Sequence, residues 1–94
     1  MELTKLNEAY KLTDSLENGW TIEGQVIKEN SGVININFSV SRISTTENIH
    51  VGNYSYNVPI DNSSVYANYN CRKEFETEFI NYSEELIKQI LEQL

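Results

Sequence analysis

Ile34-Asn35-Ile36-Asn37-Phe38-Ser39-Val40-Ser41 is the stretch whose reading decides the fold. Ile34, Ile36, Phe38 and Val40 occupy every second position, and Asn or Ser fills the positions between. Successive side chains of a strand point to opposite faces, so a period of two predicts a strand with one dry face and one wet face. Sheets wetted on one side are antiparallel and covered on the other. Upstream, Trp20, Ile22, Gly24 and Val26 alternate with Thr21, Glu23 and Gln25 in the same way, and Glu29-Asn30-Ser31-Gly32 turns the chain between the two runs. Downstream, a polar connection over 43–48 leads to Ile49, Val51, Tyr54, Tyr56 and Val58. The parity of this third strand changes across Gly52-Asn53, which predicts a bulge or a tight turn. Pro59 ends it.

Helical periodicity flanks these strands. Leu3, Leu6, Ala9, Tyr10, Leu12 and Leu16 share one half of a helical wheel, opposite Asn7, Glu8, Lys11, Asp14 and Ser15. Residues 3–17 therefore read as an amphipathic helix, stopped by Asn18-Gly19. Residues 62–70 stay open between two readings. The last helix starts near 62 from an N-cap within Asp61-Asn62-Ser63-Ser64, or it starts near Asn70 and Val65 to Tyr69 form an extended connection or a fourth short strand. From there to Leu94 the chain reads as one long two-faced helix. Glu74, Glu78, Glu85 and Glu92 align within about 40° of one another at 100° per residue. Opposite them Phe75, Phe79, Ile80, Tyr82, Ser83, Leu86, Ile87, Ile90, Leu91 and Leu94 fill roughly 180°, wider than the arc of about 100° that one covering layer needs.

The resulting order predicts a single domain over residues 1–94. It is a two-layer α+β fold, helix, three-stranded antiparallel sheet, helix (αβββα), with both helices on one sheet face. Trp20, Ile22, Ile36, Phe38, Tyr56, Phe79, Leu86 and Ile90 form the expected core. Thr21, Glu23, Gln25, Asn35, Asn37, Ser39, Ser41, Ser55 and Asn57 line the wet face, which is polar and almost uncharged.

Composition narrows the functional classes. The chain has 94 residues, 39% hydrophobic content and a formal net charge of −7. Residues 74–94 carry six acids and one base, while 30–71 carry Arg42, Glu47 and Asp61. Phosphate backbones and anionic membranes repel such a chain, so direct nucleic-acid and membrane binding are disfavoured. No apolar run approaches the roughly 18 residues of a membrane span. Met1-Glu2-Leu3-Thr4-Lys5 lacks the features of a signal peptide, and the expected location is the cytoplasm. For the same reason the Asn-x-Ser matches at Asn37, Asn53, Asn62 and Asn81 are not read as glycosylation sites.

Catalytic chemistry finds few candidates. His50, the one histidine, lies between Ile49 and Val51 and reads as a surface strand residue, without the nucleophile and orienting acid that a general base serves. Cys71, the one cysteine, precedes Arg72-Lys73 near a helix start, where a thiol pKa could fall, but a structural role is the better reading. Paired carboxylates such as Glu74 and Glu78 read as a solvated stripe. The isolated glycines make no phosphate loop, one Cys and one His make no zinc cluster, and neither a metal nor a cofactor is implied.

The predicted element order is also that of double-stranded-RNA-binding domains, which need a lysine cluster at the start of the second helix. Here Arg72-Lys73 runs at once into Glu74, Glu76 and Glu78, and the electrostatics have the wrong sign. In size, charge and element order the chain is similar to some phage-encoded inhibitors of nucleic-acid-handling enzymes, including certain anti-CRISPR proteins. That resemblance implies a non-enzymatic, acidic protein-binding module and transfers no residue; the stripe of Glu74, Glu78, Glu85 and Glu92 is itself the expected contact, a nucleic-acid mimic that occupies a basic surface on a protein partner. The alternative is a homo-oligomeric structural or assembly protein. In it the broad apolar arc, through Ile80, Ile87, Leu91 and Leu94, forms a homodimer.

Overall fold

The computed structural model describes residues 2–6, 9–29, 32–43, 47–59 and 64–94, with side chains described from Ala9 onward. Six strands and a C-terminal helix follow one another: β1 (Glu2–Leu6), β2 (Ala9–Ser15), β3 (Trp20–Lys28), β4 (Ile34–Ile43), β5 (Asn48–Val58), β6 (Tyr66–Cys71) and α1 (Glu76–Gln93), the last preceded by a turn of 3-10 helix over Lys73–Phe75. Each strand pairs antiparallel with the next, so that β2 to β6 form a five-stranded meander and β1 adds a sixth strand at its β2 edge. Helix and sheet make a two-layer slab of 45 × 26 × 17 Å. Among the described residues no helix is long and apolar enough to cross a membrane.

The αβββα order predicted from the sequence is therefore corrected at its N-terminal end. Residues 3–17, expected as a helix, supply β1 and β2, with Leu3 opposite Leu12 and Leu6 opposite Ala9. Tyr10, Leu12 and Asp14 stand opposite Val26, Gly24 and Ile22, so the inward set of β2 contains a carboxylate. Asp14 interrupts the alternation that would have marked a strand, and the leucine spacing then fits a helical wheel. Its inward position is stabilised from outside the segment, because the Tyr82 hydroxyl of α1 donates to Asp14 Oδ2 at 2.9 Å. The stop at Asn18-Gly19 is real but closes a hairpin. Gly19 has φ of 91°, a region that costs L-residues but not glycine. Its N–H donates to the Leu16 carbonyl (3.1 Å), and the Leu16 N–H donates to the Trp20 carbonyl (2.9 Å).

Strands β3, β4 and β5 follow the predicted alternation. The parity change in β5 is a bulge within a continuous strand: Val40 pairs with Gly52 and Ser41 with His50, so Val51 is the extra residue and is fully buried. Glycine is required beside it. A Cβ on Gly52 would come within 2.6 Å of both the Asn70 carbonyl oxygen and the Cys71 Cβ of β6. Residues 66–71 resolve the open alternative in favour of a strand, and the possible N-cap residues 61–63 lie outside the described residues.

The core lies between the sheet and α1. Leu12, Trp20, Ile22, Val26, Ile36, Phe38, Val40, Val51 and Tyr54 meet Phe79, Leu86, Ile87 and Ile90. Of the expected core residues all but Tyr56 are buried, and Tyr56 is half-buried against the cluster. Phe38, Tyr54 and Tyr69 stack in a row across β4, β5 and β6 with centroid separations of 5.6 and 6.3 Å. Trp20 meets Phe75 and Tyr82 edge-on at 6.2 Å. A sheet this wide covers the broad apolar arc of α1 that a three-stranded sheet would have left open.

Candidate functional site

Two surfaces remain once the core is closed: the outer side of α1 and the open face of the sheet. On α1, Glu78, Glu85 and Glu92 are exposed and stand seven residues apart. At 1.5 Å per residue each step is about 10 Å along one side of the helix. No ion pair with a described residue reaches any of these three. Glu74 does not belong to the same helical line, because it lies in the 3-10 turn before α1 with its carboxylate 3.9 Å from Arg72 Nη1. Lys73 and Glu76 pair at 3.0 Å, and that bond holds the Lys73 ammonium above its usual pKa.

The residues predicted for self-association are partly consumed by the fold. Ile87 is 5% exposed and belongs to the core, while Leu91 and Leu94 pack half-buried against it. Ile80 is half-buried as well. The Leu94 carbonyl also accepts a hydrogen bond from Lys28 Nζ at 3.0 Å, tying the end of α1 to the end of β3.

The open face has a regular construction. Residues opposite one another in an antiparallel pair share a face, so the register defines its rows. Lys11, Gln25, Asn37, Ser55 and Asn68 form one row across β2 to β6, and Thr13, Glu23, Ser39, Asn53 and Asn70 form the next. Neighbours within a row are about 4.8 Å apart and the rows about 7 Å apart, from strand geometry. Ser55 Oγ donates to Asn37 Oδ1 at 2.6 Å, and Asn53 Oδ1 lies 2.7 Å from His50 Nε2. Gln25, Asn37, Ser39, Asn53, Ser55, Asn68, Asn70 and Glu23 line a shallow trough of about 630 Å³. A second concavity of about 780 Å³ continues from Glu23 and Ser39 toward Thr13, Ser41 and Asn48. The polar groups of the first are amides and hydroxyls with one carboxylate, Glu23, beside Phe38, Tyr54 and Tyr69, a set that can hydrogen-bond an uncharged polar ligand; the second adds a second carboxylate, Asp14.

Sequence reasoning found the β3 and β4 columns of this face and Ser55 of β5, and missed Lys11, Thr13, Asn53, Asn68 and Asn70. The signal for the last two was present: in Tyr66-Ala67-Asn68-Tyr69-Asn70-Cys71 asparagine recurs at every second position, as it does in Ile34–Ser41.

Neither His50 nor Cys71 lines either concavity. Cys71 ends β6, half-buried, and burial pushes its thiol above the usual value, as does the nearby Glu76 carboxylate, against a smaller opposing pull from Lys73. The lowered thiol pKa considered from Arg72-Lys73 is not found. Among the described residues no group of His, Cys, Asp and Glu is placed to hold a metal ion. No protein family, curated protein or solved structure matches the chain, and the chemistry of its own surfaces carries the functional reading.

Proposed function

We propose that the protein is a small non-catalytic binding module that acts in the cytoplasm and presents the outer side of α1 to a basic surface of a larger protein. The observation that supports this is the line of Glu78, Glu85 and Glu92, exposed and without counter-ions among the described residues, on a helix held to the sheet by Phe79, Leu86, Ile87 and Ile90. Three carboxylates on a rigid rod meet a Lys/Arg channel on a backbone that is already ordered, and opposite charge speeds the encounter. A channel shaped for nucleic acid is the natural target, which makes the module an inhibitor by mimicry. The test is capture of partners from host lysate at low and high salt with wild type and with Glu78→Lys/Glu85→Lys. A salt-labile partner lost in the variant and displaced by added nucleic acid supports the proposal. Equal capture by both proteins at low salt overturns it.

A second reading rests on the trough over Asn37, Ser39, Asn53 and Ser55. In it the module binds an uncharged, hydroxyl-rich ligand such as a saccharide through its sheet face. Binding that is insensitive to salt and lost in Asn37→Ala/Asn53→Ala distinguishes it from the first.

A further inference from the structure

Strand β6 is the last in the sheet order, paired with β5 on one side and with no strand among the described residues on the other. An open edge is a row of unpaired backbone N–H and C=O groups, and proteins protect such edges with Lys, Pro, inward charges or a covering segment. None of these is found at this edge among the described residues. Tyr66-Ala67-Asn68-Tyr69-Asn70-Cys71 contains no charged residue and no proline, and residues 64–70 are all exposed. Among the described residues the exposed large hydrophobic side chains are Ile43, Val65, Tyr66 and Tyr69, and three of those four fall on or beside this strand, at 49, 61 and 47% exposure. An unprotected backbone edge and a concentration of exposed apolar surface coincide on one six-residue strand.

We propose that β6 pairs antiparallel with β6 of a second copy of this chain, about a two-fold axis at Asn68. For two sheets to join as one, opposed residues must share a face, which any residue-centred antiparallel pairing provides; centring on Asn68 in addition sets a small side chain against each large one on the α1 side. Tyr66 then faces Asn70 of the second copy on the open side, where Asn57 and Asn53 place them. Ala67 faces Tyr69 of the second copy on the α1 side, a small side chain against a ring already stacked on Tyr54 and tilted against Phe79. An isologous contact makes each of these pairs twice. Charge also permits it: each copy carries −7 in total, but the contact strand carries none, so the copies meet where their repulsion is least. A contact this narrow buries less than the roughly 1,200 Å² of a standard stable interface, and the dimer is accordingly weak and concentration-dependent. It would bring the two sheets' open faces into one surface.

Sedimentation velocity over a rising concentration series provides the test, with thermal melts to check folding. Wild type should move from monomer toward twice the mass. Asn68→Lys and Asn68→Glu, exposed substitutions that place like charges opposite one another on the axis, should each stay monomeric with unchanged melting. An equimolar mixture of those two variants should regain the dimer, because opposite charges then meet at the axis. A wild type that is monomeric throughout overturns the proposal. Dimerisation of both folded variants as strong as that of wild type also overturns it and turns attention to Ile80 and Leu91 on α1. A mixture that stays monomeric refutes the Asn68-centred pairing.

Discussion

The two faces of the sheet are built from alternate residues of the same strands, and they do opposite work. On one face Ile36, Phe38 and Val40 lose nearly all contact with water beneath α1, while their neighbours Asn35, Asn37 and Ser39 stay half-buried or exposed, Asn37 accepting from Ser55 and Ser39 donating to the Glu23 carbonyl. Stability is concentrated on the first face and recognition is available to the second, because burying apolar area is worth about 25 cal/mol per Å² while an exposed hydrogen bond that exchanges with water is worth little. Substitutions one residue apart should therefore differ by several kcal/mol.

The largest expected effect breaks that comparison most directly. Phe38→Ala should cost about 3 to 5 kcal/mol of unfolding free energy, and Asn37→Ala or Ser39→Ala should stay within about 0.5 kcal/mol. Urea titrations of the three variants check this, and a loss under about 1 kcal/mol for Phe38→Ala would mean that the assigned faces are reversed.

Asp14 tests the rule where it is violated, since it is a carboxylate on the covered side. Its desolvation pushes the pKa up from 3.8, but the lowering influences, led by the hydrogen bond from the Tyr82 hydroxyl, together outweigh that, and the net shift is downward. A carboxyl depressed by folding contributes stability that is complete above its unfolded value and is lost as the pH falls through the folded one. The decline therefore belongs on the acid side of the ordinary carboxylate value of 3.8. Tyr82→Phe should cost about 1 kcal/mol at neutral pH and make stability less sensitive to acid in that window, as read from melts at stepped pH. An acid response identical to wild type would exclude the Tyr82 bond as its source. The same bond and burial hold the Tyr82 phenol well above the ordinary tyrosine range, burial being the larger cause.

Ser83 is the smaller violation. It is fully buried on α1, and its Oγ has no partner among the described residues. Removing an unsatisfied buried hydroxyl relieves its desolvation cost, so Ser83→Ala should be neutral or stabilising by up to about 1 kcal/mol. A clear loss of stability would reveal a bond from this hydroxyl. The smallest effect belongs to the outer side of α1, where Glu78→Lys/Glu85→Lys should change stability by no more than about 0.5 kcal/mol. A larger change would make that face a structural one.

What could be read from the sequence depended on whether a segment's periodicity was its own. Strands β3 and β4 and helix α1 show a clear period because their buried sides are apolar apart from Ser83, and the bulge in β5 showed itself where Val51 and Tyr54 fall out of step. The hairpin of β1 and β2 stayed hidden because the inward Asp14 is stabilised by Tyr82, sixty-eight residues away, and no local pattern can announce a partner at that distance. Strand β6 was ambiguous for a related reason: its apolar side is Ala67, Tyr69 and Cys71, too little hydrophobicity to mark a dry face. The open face was thus legible over β3, β4 and part of β5, where Asn53 beside the bulge was missed, and incomplete at both sides. The acidic line was legible over Glu78, Glu85 and Glu92 and failed at Glu74, where the wheel was extended past the end of the helix into a 3-10 turn.

Every strand pairs with its immediate successor in the chain, and this sets the order in which the protein can assemble. No pairing waits for a distant segment, so the hairpins can zip one after another with small loop-closure costs, and topologies dominated by such near contacts fold fast for their size. The exception is the layer added last. Until the 18 residues of α1 leave the ribosome and settle, the growing meander carries Ile36, Phe38 and Val40 uncovered beside an open edge at β6. For that interval the nascent chain is a sheet without a lid, and the C-terminal helix serves as its built-in chaperone.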